Sequence, residues 1–274
     1  MKSILITGAS SGIGLATANL FKKNGYKVFT ICRKQEDAQH LKEQGFESFC
    51  ADVCNYSAID RIFDTIAIQT TLDIVFNNAG YGQPGAVEDI SIEVMKEQFE
   101  TNFFALHYVT NKAISLMKSQ NNSVGKIIQH SSVLGLISLR FRGAYNASKY
   151  AIEGLCDTLR LELADTNIKI ITLNTGPVKS KFRDNALKMF EKNINKEVSC
   201  YKEAYEKELG QRLTSPDDAP FTLSCQDAAQ IVLKIAQSSN PKPRYYITHA
   251  TTLLATFKRL LPTSWLDKIL LKIN

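Results

Sequence analysis

Long hydrophobic runs are missing from this 274-residue chain. No uninterrupted apolar stretch approaches the ~20 residues that span a bilayer, so no transmembrane helix is expected. The opening MKSILITG (residues 1–8) passes straight into strand-like residues and a glycine turn. That leaves no room for the apolar region of a secretory signal. Metal-ligand clusters are missing too. Of Cys32, Cys50, Cys54, Cys156, Cys200 and Cys225, only Cys50 and Cys54 are close, and no second pair completes a site. Reduced, mostly buried thiols in a cytoplasmic protein are the expectation. No compact basic cluster carries interleaved aromatics, so nucleic acid is not an expected partner. Internal repeats and low-complexity tracts are also absent.

What is present suits a soluble globular protein with a sizeable core: 44% hydrophobic and 22% charged residues. The length fits one large α/β domain, or two small ones. A formal charge of +6 is explained by ordinary surface lysines, and also suits an anionic cofactor or a membrane surface. Strand-like runs at 3–7, 27–32, 47–51, 73–77, 126–130, 169–174 and 244–248 alternate with helical patterns. The clearest helical stretches are 13–24, 56–68, 95–119 and 145–164. Such alternation predicts β-α-β crossovers and a parallel sheet. The pattern lapses over 180–224, which holds a charged helix-like run (188–209) and the breaker cluster PDDAP (216–220). Ligands bind outside the carboxyl ends of parallel strands, so this excursion after the sixth strand is expected to be a substrate lid. A structural cap or interface is the alternative.

The first strand runs into TGASSGIG (residues 7–14). Gly8, Gly12 and Gly14 permit a tight turn and a close backbone approach to a pyrophosphate. Ser10, Ser11 and Ile13 complete the loop, and the helix that starts there turns free N–H groups toward an anion. The second strand ends in Arg33 and Lys34, where an NAD site would place a carboxylate for the ribose. Arg33 can fork onto a 2′-phosphate and Lys34 adds charge, which favours NADP(H) over NAD(H). Glu36 and Asp37, just beyond, argue the other way.

AYNASKYA (residues 144–151) places Tyr145 and Lys149 four residues apart, hence on one helix face. An ammonium beside a phenol lowers the phenol pKa and makes it a usable acid/base. Tyr108 and Lys112 have the same spacing, so spacing alone leaves both pairs open.

Taken together, TGASSGIG, Asp52–Val53, NNAG (77–80), Asn102, Ser131–Ser132 and YNASK (145–149) resemble the classical short-chain dehydrogenase/reductase family over about residues 1–180. A closer similarity, to bacterial NADP-dependent aldehyde reductases related to hydroxysteroid dehydrogenases, continues through GLIS (135–138), 173–182 and RLLP (259–262). The resemblance implies a Rossmann-type doubly wound parallel sheet with helices on both faces. It places a serine thirteen residues before the catalytic tyrosine, which selects Ser132 and Tyr145 and leaves Tyr108 and Tyr150 structural. It implies Tyr145 as acid/base, Ser132 holding the substrate oxygen, Lys149 on the nicotinamide ribose and Asn102 in a proton relay, with no metal. Asp52 and Val53 would meet adenine, Asn78 and Gly80 the adenosine side, and Val178 and Ser180 the nicotinamide carboxamide. Thr175 stands where related sequences usually carry proline, whose stiffness the backbone there lacks.

The expected organisation is one Rossmann-type unit over 1–250 with a helical lid at about 180–224, and an amphipathic extension over 251–274. Pro262 should divide the extension into two short helices. Apolar residues with interspersed bases fit packing on the protein, a subunit contact or an interfacial membrane helix. The expected activity is NADP(H)-dependent interconversion of an apolar aldehyde or ketone and its alcohol, by a homo-oligomer. Leu134, Phe141 and Arg142 are candidate substrate contacts. An NADP(H) sensor without turnover, and a membrane-surface enzyme acting on a lipid or steroid-like carbonyl, are the rival readings.

Overall fold

Seven parallel strands form one sheet in the order β3-β2-β1-β4-β5-β6-β7 in a computed structural model, which describes residues 1–121, 124–210 and 222–273. The strands are β1 (Ser3–Thr7), β2 (Lys27–Cys32), β3 (Glu47–Cys50), β4 (Ile74–Asn77), β5 (Gly125–Ser132), β6 (Ile168–Thr175) and β7 (Arg244–Tyr246). The jump from β3 back past β1 to β4 is the reversal that opens a crevice at the carboxyl ends of β1 and β4. The strands read as near-continuous apolar runs because both sheet faces are covered. In β1 the alternation is plain. Leu5 joins one core with helices α3 (Tyr56–Gln69), α5 (Ala105–Ser119) and α6 (Gly143–Glu162). Ile4 and Ile6 join the other, with α1 (Gly12–Lys23), α2 (Gln35–Glu43) and α9 (Cys225–Gln237).

Local chemistry sets the helix starts. Asn55 Oδ1 accepts from Ala58 N at 3.1 Å and begins α3. Ser91 Oγ accepts from Val94 N and begins α4 (Ile92–Phe99), and Ser224 with Asp227 forms a capping box at α9. The continuous helix expected over 95–119 is corrected in two ways. It begins at Ile92, and a π-helical turn at Glu100–Phe104 separates α4 from α5. The charged run over 188–209 is not one helix either. Helix α7 spans Phe182–Asn193, and the chain then bends before the short α8 (Lys202–Ala204) and a π-helical turn at Tyr205–Gly210. The cluster PDDAP lies outside the described residues.

This excursion builds a small core of its own. Phe190 and Ile194 meet Ala86, Ile90 and Phe141, with Tyr205 buried among them. Tyr205 Oη donates to Asp89 and accepts from Ala86 N at 2.8 Å. Beyond β7, helices α10 (His249–Leu260) and α11 (Thr263–Leu270) meet at Pro262, as the sequence predicts. The six cysteines are free thiols, but only Cys32 and Cys156 are buried; Cys50 and Cys200 are exposed. The expectation of mostly buried thiols is corrected on that point. No described helix is long and apolar enough to cross a membrane.

Candidate functional site

At the end of β1 the backbone turns through Gly8 and Gly12, at φ of +67° and +59°. Only glycine adopts such angles without strain. A Cβ on Gly8 would sit 2.8 Å from the Ala79 backbone, and one on Gly14 would sit 2.4 Å from Gly8 O. Asn78 Nδ2 donates to the carbonyls of Thr7 and Gly8, each at 3.0 Å, while Thr7 Oγ1 accepts from Asn78 N and Ala79 N. The NNAG segment is thereby tied to the glycine turn. Ser11 caps α1 without a side-chain bond, so the first N–H groups of α1 have no side-chain acceptor. Ser10 and Ser11 are half-buried and Ile13 is buried in the same turn. A backbone this open, with N–H groups at its centre, fits a dinucleotide pyrophosphate.

Arg33 and Lys34 are exposed just past β2, and Lys34 is the N-cap of α2. Glu36 and Asp37 fall in the first turn of α2, where carboxylates favour the positive end of the helix. That placement accounts for both acids without a ribose contact. Asp52 is exposed and its Oδ1 accepts from Cys54 N at 2.9 Å; Val53 beside it is buried. Gly80 passes the buried Asn102, whose Oδ1 would lie 3.1 Å from a Cβ there.

Ser132 ends β5, and Tyr145 and Lys149 lie on the first turns of α6. Ser132 Oγ accepts from Leu134 N at 3.1 Å and donates to Thr175 O at 3.4 Å. Burial pushes the Tyr145 phenol up to about 12, opposed by the nearby Ser132 hydroxyl and the Arg142 charge. Lys149 is buried, its Nζ donates to His130 O at 2.6 Å, and burial pulls it down to about 8. The nearby Glu153 carboxylate opposes that fall. The expectation that Lys149 depresses Tyr145 is corrected: desolvation dominates at both groups and raises Tyr145. Asn102 sits in the π-helical turn. Its Nδ2 donates to Tyr81 O at 2.9 Å and Ser148 Oγ at 3.2 Å, and its Oδ1 accepts from Tyr81 N at 3.0 Å. Such an irregular turn aims a side chain that a regular helix would point elsewhere.

The other tyrosines are engaged elsewhere. Tyr108 Oη donates to Asp60 Oδ1 at 2.8 Å, and Lys112 pairs with the same carboxylate. Tyr150 Oη donates to Leu136 O at 2.7 Å. Tyr145 instead lines a cavity of about 210 Å³ with Ser132, Leu134, Leu139, Arg142 and Phe182. Ile13, Val178 and Ser180 line it too, so the glycine turn and the segment after β6 meet at its floor. Gly12 faces Ser180, with 3.7 Å from an added Cβ to Ser180 Cβ. Phe182 opens α7 and stacks edge-on against Tyr145 at 5.5 Å. Phe141 does not line the cavity; it packs against Tyr201 and Tyr205 at a positive φ of 57°.

His130 is a site residue that the sequence reading missed. Its Nδ1 meets Asn78 Oδ1 at 3.0 Å and its Nε2 meets Thr175 Oγ1 at 3.1 Å. Burial, then the Lys149 charge, pulls it down to about 3, so the ring is neutral near pH 7. Asn78 Oδ1 can only accept, so Nδ1 carries the proton and Nε2 is an acceptor, sharing the Thr175 hydroxyl proton with Ser131 O at 3.2 Å. The Thr175 hydroxyl is thus held between His130 and Ser131. The available signal was period two: His130 and Ser132 share one face of β5.

The family model described as short chain dehydrogenase matches residues 2–190. The chain belongs to the short-chain dehydrogenase/reductase family. It is 37% identical to the uncharacterised oxidoreductase YbbO of Escherichia coli, over 98% of this chain and 94% of that protein. It is 29% identical to an NADPH-dependent 3-dehydrocapnine reductase of Ornithobacterium rhinotracheale, over 99% and 97%. Among solved structures, a family member from Burkholderia phymatum in complex with NAD superposes with a TM-score of 0.77. It is 25% identical, over 94% of this chain and 92% of that one. This membership makes the protein an oxidoreductase of a fold that binds nicotinamide nucleotides.

Proposed function

We propose that the chain is an NADP(H)-dependent oxidoreductase that interconverts an aldehyde or ketone and the corresponding alcohol. The observation that carries this reading is that the Tyr145 and Ser132 side chains line one cavity of about 210 Å³ together with Ile13 of the glycine turn. The bound nucleotide supplies or accepts the hydride. Gly8, Ser10, Ser11, Gly12, Ile13 and Gly14 would hold its pyrophosphate, and Arg33 with Lys34 its 2′-phosphate. Asp52, Val53, Asn78 and Gly80 would hold the adenosine half, and Val178 and Ser180 the nicotinamide.

Tyr145 gives its phenolic proton to the carbonyl oxygen in reduction and takes the alcohol proton in oxidation. A phenol held near 12 is fully protonated near neutral pH, which suits the reducing direction. Ser132 donates to the same oxygen as charge develops on it. Lys149 would hold the nicotinamide ribose, and Asn102 supports the relay behind it. Leu134, Leu139 and Phe182 favour an apolar substrate body. The name of the NADPH-dependent relative agrees with NADP(H) and a ketone substrate. We read residues 1–250 as one catalytic unit of a cytoplasmic homo-oligomer, with 251–274 as an extension.

The test is cofactor oxidation followed by absorbance, with NADPH and NADH in parallel against aliphatic and aromatic aldehydes, ketones and steroids. Turnover with NADPH well above that with NADH supports the reading. Tight NADPH binding without turnover on any carbonyl would favour the sensor reading instead.

A further inference from the structure

We propose that α10 and α11 form a docking element that lies on an anionic lipid surface. Their inner faces belong to the protein. Thr251, Ala255 and Leu266 are buried, and Leu254 and Leu270 pack against the cluster of Leu134, Ile137 and Tyr145, of which Leu134 and Tyr145 line the cavity. Their outer faces carry exposed large apolar side chains. Leu253 and Leu260 on α10 are 53% and 75% exposed, and Trp265 on α11 is 62% exposed, with Leu271 just beyond at 61%.

Leu253, Thr256 and Leu260 succeed one another at three and four residues and so share one face of α10, and Trp265 and Lys268 share one face of α11. The charge is one-sided as well. Lys258, Arg259, Lys268 and Lys272 are all exposed, and Asp267 is the sole acid in residues 249–273. An apolar face with an indole and surrounding bases matches the headgroup boundary of an anionic membrane, where leucine and tryptophan enter the acyl edge and lysines meet phosphates. A second protein surface would have to supply both an apolar patch and acids. Docking of this kind is independent of the redox reading of the site. It would bring the cavity close to the bilayer, because Leu254 and Leu270 of these helices pack against the cluster holding the cavity-lining Leu134 and Tyr145.

The experiment is co-sedimentation of the full chain with vesicles of phosphatidylcholine, with and without phosphatidylglycerol. The variant is Leu253→Glu with Trp265→Glu, at two exposed positions, checked by an unchanged thermal midpoint. The full chain should pellet with phosphatidylglycerol vesicles, and the variant's partitioning should fall by about tenfold or more. Binding should weaken as salt is raised, since the bases supply part of it. A chain that stays in the supernatant with anionic vesicles overturns the proposal. So does a variant that changes oligomeric state without lipid while its vesicle binding is retained, because the face would then be a subunit contact.

Discussion

Replacing the Thr175 hydroxyl should expose how far His130 supports the segment after β6. Thr175→Val leaves His130 Nε2 without its donor in a buried site and should cost about 1–3 kcal/mol in urea unfolding. His130→Leu should cost a similar amount, and the double variant should cost less than the sum by about 1 kcal/mol. Strict additivity would show that the two residues do not act together. Lys149 carries a separate prediction. Its ammonium is held down at about 8, so it is charged below that pH and neutral above it. The kcat/KM for NADPH, which reports the free protein, should be flat on the acid side of pH 8 and fall as pH rises through it. At this scale the sequence was informative about which residues gather, because the family motifs carry them in order. It was silent on the pKa values. Those depend on burial, and burial drives Tyr145 up where the spacing with Lys149 alone argued for down.

Elements differ in how well their residues announce them. The strands were legible almost to the residue, because a buried parallel strand is a short apolar run ended by glycine or polar residues. Helices α1, α3 and α6 were legible for the same kind of reason. The π-helical turn at Glu100–Phe104 was not, since it is held by Asn102 bonding to Tyr81 across the fold. The bend after α7 was not legible either. Phe141, Tyr201 and Tyr205 hold that segment, and Tyr205 reaches Asp89 far away in sequence. Tyr205→Phe should therefore cost about 1–3 kcal/mol, since Asp89 and the Ala86 N–H each lose a buried partner. An unchanged urea midpoint would contradict this anchoring. At the junction of β2 and α2, Arg33→Ala should raise the KM for NADPH by about ten- to a hundredfold, the loss of one charge-assisted contact. The KM for NADH should not change. Equal effects on both nucleotides would remove Arg33 as the reader of the 2′-phosphate.

For the molecule as a whole, the sheet reversal between β1 and β4 sets the crevice, and Phe182, Arg183 and Ala186 of the excursion after β6 line the cavity there. The order of these parts follows from chain topology. Their shared cavity follows from packing between segments more than a hundred residues apart, which no local pattern encodes. The central claim is that Tyr145 moves the proton while the fold alone holds the nucleotide. The most direct test compares Tyr145→Phe with the unaltered protein, by NADPH oxidation on an active carbonyl and by NADPH fluorescence titration. Turnover should fall by about 10²–10⁴, with nucleotide affinity kept within about twofold, because the turn at Gly8–Gly14 is untouched. Undiminished turnover would contradict the assignment of Tyr145 as the acid.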